Sequence, residues 1–97
     1  MHARVTRIEA SPAHLDEMAR QFEERTVPVL EGLEGYKGYV LLGDRGNGAA
    51  VAVTYWESEE AMRASEDAVT EERERAAETA DATAGPTVDR YEVVSAS

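Results

Sequence analysis

Trp56 is the side chain whose setting most suggests chemistry in this sequence of 97 residues. It closes the alternating run Ala49-Ala50-Val51-Ala52-Val53-Thr54-Tyr55-Trp56. On a strand it shares one side with Ala50, Ala52 and Thr54. Those small residues leave room for a cavity that the indole would roof, which makes Trp56 the candidate catalytic residue and pairs it with Thr54 as a candidate substrate contact. The alternative is a core or interface anchor whose N–H bonds a backbone group, since aromatic residues are commonly buried for their area alone. Arg4 and Thr6 fall on one side of another strand, with His2 and Ile8. Arg4 would neutralise a phenolate or carboxylate there, or else pair with Glu57 or Glu92, or stand exposed near the chain end. Tyr39, Tyr55 and Tyr91 are hydrogen-bond donors of the right kind for a substrate oxygen, although strand tyrosines more often pack. Arg4, Thr6, Tyr39, Thr54 and Trp56 together form the candidate substrate site.

Other chemistries find no support. His2 and His14 are the only histidines and lack the i, i+4 partner or carboxylate spacing of a metal site, so no metal is expected. Cys is absent, which removes disulfides, thiol nucleophiles and thiolate ligands. Gly43-x-x-Gly46-x-Gly48 belongs to a hairpin loop and not to a strand-to-helix phosphate turn, so no nucleotide cofactor is expected. The Glu/Arg run at 71–75 reads as a solvated helix face.

The elements that position these residues follow from local pattern. Residues 2–9 carry β-branched Val5, Thr6 and Ile8 and read as a first strand. Ser11-Pro12 suits a helix start, with Ser as N-cap and Pro at the first helical position. Leu15, Met18, Phe22, Thr26, Val29 and Leu33 then recur at helical spacing, with a kink or stop expected at Pro28 and closure at Gly32 and Gly35. Residues 36–43 and 49–56 read as strands, and Asp44-Arg45-Gly46-Asn47-Gly48 between them predicts an antiparallel hairpin. Ser58 should cap a second helical region reaching to about Thr83, with a thin stripe of Met62, Ala64, Ala68, Val69, Ala76 and Ala80 and a break near Ser65 or Thr70. Gly85-Pro86 ends it, and Val88 to Val94 forms a last strand.

Length fits one domain over residues 1–97. Leu, Ile, Val and Phe make up less than a fifth of the chain and the net charge is −10, which borders on the composition of disordered proteins. The apolar residues nevertheless cluster in short alternating runs, as folded strands require. The acidity argues against nucleic acid or anionic membrane as partner, because both need clustered Lys and Arg. Met1-His2-Ala3-Arg4-Val5 has no apolar signal core and no stretch approaches a membrane-spanning length, so a cytoplasmic location is expected.

The order β-α-β-β-α-β is that of the α+β, ferredoxin-like fold: a four-stranded antiparallel sheet with its helices on one face. The third strand shows Val51, Val53 and Tyr55 on one side; the second shows Tyr36, Val40 and Leu42 on one side and Tyr39 and Leu41 on the other. Neither face is polar enough for water, and the helices cover only one. The same face of a second subunit is the simplest cover, so a homodimer is expected.

Several motifs strengthen this. Gly35-Tyr36-Lys37-Gly38, Asp44-Arg45, Thr54-Tyr55-Trp56-Glu57-Ser58-Glu59-Glu60-Ala61 and Arg90-Tyr91-Glu92-Val93 resemble the dimeric α+β barrel superfamily, in particular its antibiotic-biosynthesis-monooxygenase-like branch. The resemblance spans nearly the whole chain. It implies a dimer with two sheets face to face and a pocket in each subunit. It also implies a cofactor-independent monooxygenase acting on an aromatic or polyketide-like phenol able to give an electron to oxygen, or a non-catalytic protein that binds such a molecule. The site residues of such oxygenases include an Asn and a Trp on the strand before the second helix, and a Tyr further on. Trp56 matches the Trp, but Ala52 stands in the place of the Asn and Met62 near that of the Tyr. The haem-degrading branch uses an axial His in the second helical region, and residues 58–84 contain none.

Overall fold

The structure is a computed structural model and describes residues 1–79 and 86–97, the side chains of residues 71, 72 and 76–79 excepted. Four strands, β1 (His2–Glu9), β2 (Tyr36–Asp44), β3 (Ala49–Trp56) and β4 (Thr87–Glu92), form one sheet in the order β2-β3-β1-β4 with every neighbouring pair antiparallel. Two crossovers flank the β2–β3 hairpin, which is the ferredoxin-like arrangement expected from the element order. Asp44 builds the hairpin loop. Its carboxylate accepts from the Gly46 and Asn47 amides, both at 3.1 Å, and from Asn47 Nδ2 at 2.9 Å.

The first crossover is helical but interrupted. A 3-10 turn, Pro12–His14, leads into α1 (Leu15–Gln21), a π-helical turn (Phe22–Thr26) and α2 (Val27–Glu31). Ser11 starts it with its backbone rather than its hydroxyl: its carbonyl accepts from the His14 amide at 2.9 Å, with no side-chain cap bond. Pro28 accounts for the wide turn, because in a regular helix its ring would strike the carbonyl of Glu24. The Val27 amide reaches back five residues, to Phe22. The inserted residue rotates α2 about the helix axis, so Leu30 is buried where the uninterrupted period pointed to Val29, which is only half-buried.

The second crossover breaks at Ser65 and not at Thr70, giving α3 (Glu59–Ala64) and α4 (Glu66–Thr79). Ser58 Oγ caps α3 by accepting from the Ala61 amide at 3.1 Å. Because α4 starts afresh, the predicted stripe is only partly realised: Met62 and Val69 are buried, while Ala64 and Ala68 face outward. Ala76, Ala80 and Gly85 lie outside the described side chains and residues. The last strand stops at Glu92, two residues earlier than expected.

Helices cover the sheet face bearing Arg4, Thr6 and Ile8 of β1 and Ala50, Ala52, Thr54 and Trp56 of β3. A bulge between Tyr36 and Gly38 changes the expected phase of β2. Tyr36 thereby pairs with Trp56 and packs on the helix side, ring centroids 5.6 Å apart, instead of sharing a face with Val40 and Leu42. On the opposite face Val5, Val53 and Val40 align across three strands. That face leaves Val40 41%, Leu42 52% and Tyr91 55% exposed.

Candidate functional site

The buried residues form two clusters, not one. Ile8, Ala10, Leu15, Met18 and Ala50 make the first; Leu30, Trp56, Met62 and Val69 make the second. Between them lies a cavity of about 60 Å³. Its floor is the middle of the sheet, where Thr6, Ala50, Ala52 and Thr54 are too small to fill the gap to the helices. Leu41 closes one side, Met18, Phe22, Thr26 and Leu30 form the helical wall, and Val69 and Arg73 of α4 complete it. Phe22 and Thr26 begin and end the π-helical turn, so the wall owes its contour to that turn. A larger hollow of about 280 Å³ lies among Glu34, Glu57 and Glu60, all exposed, and is a surface groove. Of the buried polar residues, Arg4, Thr6 and Thr54 line the cavity, and Ser65 lies on the groove side.

Arg4 is the most consequential of them. It is 2% exposed, and its Nη1 donates to Ser65 Oγ at 2.8 Å and to the Met62 carbonyl at 3.2 Å, at the end of α3. Ser65 Oγ donates in turn to the same carbonyl at 2.6 Å. The guanidinium lies over the Trp56 ring, 5.2 Å from its centroid. Its acidic partner is Glu66, with Nη1 to Oε1 3.6 Å, and not the Glu57 or Glu92 that the sequence suggested. Desolvation lowers the Arg4 pKa to about 10, against the pull of Glu66 in the other direction. Arg4 therefore stays charged at neutral pH.

Glu66 is shared. Arg90 Nε donates to it at 2.7 Å, and Arg73 Nη2 lies 3.5 Å away. Burial by itself would raise its carboxyl; the Arg90 hydrogen bond and the charges of Arg4, Arg90 and Arg73 outweigh that and hold it below the usual carboxylate range.

Of the residues singled out from sequence, Arg4, Thr6 and Thr54 come together in the cavity lining. Trp56 does not line it. The small residues beside it do leave a hollow, but the indole is 0% exposed, packed in the second cluster, with Nε1 donating to Thr54 Oγ1 at 2.9 Å. It underpins Arg4 and Thr54 instead of roofing the space. Tyr39 lies one layer out, its ring 5.1 Å from that of Phe22. Tyr55 and Tyr91 are on the far face of the sheet, by register with Gly38 and Ala3. His2 and His14 are half-buried, and His2 Nε2 stands 3.8 Å from Glu59.

Sequence reasoning missed Ser65, Glu66 and Arg73. The run at 71–75 is not wholly a solvated face, because Arg73 lines the cavity. The available signal was helical spacing: once α4 restarts at Glu66, positions 66, 69 and 73 share one side, and Val69 marks that side as inward.

The family model for antibiotic biosynthesis monooxygenase matches residues 1–78. An uncharacterized protein of Mycobacterium tuberculosis, Rv2557, is 37% identical over 93 residues, which cover 96% of this chain and 41% of the relative. The chain thus spans about two-fifths of that relative's length. Among solved structures, a monooxygenase of Streptomyces coelicolor in complex with Nanaomycin D superposes with a TM-score of 0.82 at 17% identity, over 98% of this chain and 88% of that one. The heme-degrader MhuD of Mycobacterium tuberculosis, with two hemes in its active site, superposes with a TM-score of 0.71 at 27% identity, over 100% and 99%. Haem does not fit the cavity of this chain: no His, Cys or Tyr is among the described lining residues to hold iron. Among the described residues no cluster of three His, Cys, Asp or Glu side chains is placed to bind a metal ion, and no helix is long and apolar enough to cross a membrane.

Proposed function

This chain belongs to the antibiotic biosynthesis monooxygenase family, and from that premise we propose that it oxidises a flat, electron-rich phenol with dioxygen, without a bound cofactor. The observation that carries the reading is a buried, charged guanidinium, Arg4, at the edge of an otherwise largely apolar cavity. A phenol entering it meets a positive charge of weak hydration, which favours the phenolate and hence electron release to oxygen. The Thr6, Thr26 and Thr54 hydroxyls are available to orient the phenolic oxygen. With an anthrone, the ring methylene becomes a carbonyl: one oxygen atom enters the product, the other leaves as water with the two methylene hydrogens, and dioxygen is the oxidant. The described lining residues include no carboxylate or imidazole, so the first proton passes to solvent after Arg4 has acidified it. Trp56 acts as a positioning residue, stacking under Arg4 and fixing Thr54.

The protein acts as a homodimer in this reading. The row Val5–Val53–Val40 and its exposed neighbours Leu42 and Tyr91 form an apolar face, and a second copy presents the same face.

Oxygen uptake and product absorbance with a panel of anthrones and hydroquinones in air test the activity. Turnover above the uncatalysed rate that vanishes in Arg4→Met supports it; a native protein that accelerates none of the panel overturns it. A second reading, binding without turnover, is favoured by the departures from the oxygenase site: Ala52 stands in the place of the Asn and Met62 near that of the Tyr. Thermal shifts with the same panel and no oxygen consumption would establish it.

A further inference from the structure

We infer that the ligand of this cavity is an aromatic acid, whose carboxylate is held by Arg73 together with Arg4. The inference rests on the reading of the cavity as an aromatic site and adds a second, permanently charged group to its ligand. Among the described residues, three guanidinium groups, those of Arg4, Arg73 and Arg90, surround the single carboxylate of Glu66. The Asp89 carboxylate also acts on Arg90, so one positive charge is left over among these groups, in a chain whose net charge is −10. How Glu66 is shared matters more than the count. Its short hydrogen bond, 2.7 Å, goes to Arg90, which is not among the cavity-lining residues. Arg4 and Arg73, which do line the cavity, stand 3.6 and 3.5 Å from it, beyond the distance of a charge-assisted hydrogen bond. Arg4 Nη1 is occupied at the end of α3. Arg73 Nη2 is buried and has no hydrogen-bond partner among the described residues.

A buried guanidinium donor without an acceptor is costly, and an apolar wall offers it none. A ligand carboxylate supplies what is missing: two oxygens matching the fork of a guanidinium and a charge that cancels the local surplus. A neutral amide of the same shape would offer Arg73 Nη2 a carbonyl acceptor but no charge to cancel that surplus. The cavity therefore discriminates by charge, and it does so through a residue on α4 that lies outside the sheet.

Benzoate and benzamide, equal in shape and different in charge, provide the test, with affinities read from the fluorescence of Trp56 and from calorimetry. The native protein should bind benzoate about tenfold or more tightly than benzamide, as loss of a charge-assisted pair implies. Arg73→Gln should cut that preference several-fold while melting near the native temperature, with Arg4 keeping the remainder, and Arg73→Lys should lose less of it. Glu66→Gln should widen the preference, because the internal competitor for both arginines is gone; a merely structural ion pair would not produce a gain. Equal binding of acid and amide by the native protein, absence of benzoate binding, or a preference unchanged in Arg73→Gln overturns the inference. These failures are separable from that of the oxygenase reading, which neutral anthrones test: anthrone turnover without benzoate preference removes only the acid assignment, and benzoate preference without turnover removes only the oxidation.

Discussion

Gly35→Ala probes how closely the turn before β2 is pressed against α3, the helix whose end holds Arg4. Gly35 has φ +81, and a Cβ built on it would lie 2.5 Å from the Ala61 Cβ. Its carbonyl also accepts from the Glu57 amide at 2.7 Å, so the turn cannot swing away freely. The left-handed backbone costs an L-residue about 1–2 kcal/mol. Relieving the collision requires α3 or the turn to shift, at about 1–3 kcal/mol more. The sum of about 2–5 kcal/mol corresponds to a fall in Tm of about 8–40 °C for a domain of this size, at roughly 4–8 °C per kcal/mol. Gly38→Ala isolates the conformational part. It has φ +134 but no atom within 4 Å of a built Cβ, so about 1–3 kcal/mol is expected. Ala61→Gly in the Gly35→Ala background removes the collision alone, and a double-mutant cycle from urea unfolding should return a favourable coupling of about 1–3 kcal/mol. Additive single effects, with no coupling, would refute the close approach and with it the placement of α3 beside Arg4.

Other consequences are as open to measurement. Trp56→Phe loses the Nε1 bond to Thr54 and part of the stacking surface under Arg4, so urea unfolding should show a loss of about 2 kcal/mol. Oxidation of anthrones should fall several-fold with KM little changed, as for a positioning residue; an unchanged rate would remove that role, and a collapsed rate at native stability would mean the indole touches substrate. The folded pKa of Glu66 lies below its ordinary value of 4.5; its contribution to stability is therefore complete above about pH 4.5 and lost as pH falls through the depressed value. The urea midpoint against pH should flatten on that acid limb in Glu66→Gln, and an unchanged limb would contradict the ion-pair cluster. Val53→Lys sets a charge in the centre of the apolar sheet face, between Val5 and Val40; sedimentation should show twice the 10.6 kDa chain mass for the native protein and the single chain for the variant.

The strands, the hairpin, both crossovers and the ferredoxin-like order were legible from the sequence because they rest on short-range chemistry. A period of two in 49–56, Asp and Gly in the loop after β2, Ser58 before an acidic helix start and Pro12 after Ser11 each act within a few residues. The same reasoning put Arg4 with Thr6 on one side of the first strand and Thr54 with Trp56 on one side of the third; the register, which pairs Arg4 with Thr54, brings both to the face under the helices. Local pattern misplaced Tyr36, Val29 and the stripe of the second crossover, each through one irregular step: the bulge at the start of β2, the π-helical turn before Pro28 and the break at Ser65. A single inserted residue reverses every later position in a strand and turns every later one in a helix by about 100°. Pattern alone does not fix where that insertion falls. The carboxylate shared by three arginines lay further out of reach. Arg4, Glu66, Arg73 and Arg90 come from β1, α4 and β4, and their meeting depends on how the helices settle over the sheet. Sequence by itself determined which side chains share a face; only tertiary packing decided which of them meet across the layers, because charge pairing and cavity shape are set by distances between elements that no local period encodes.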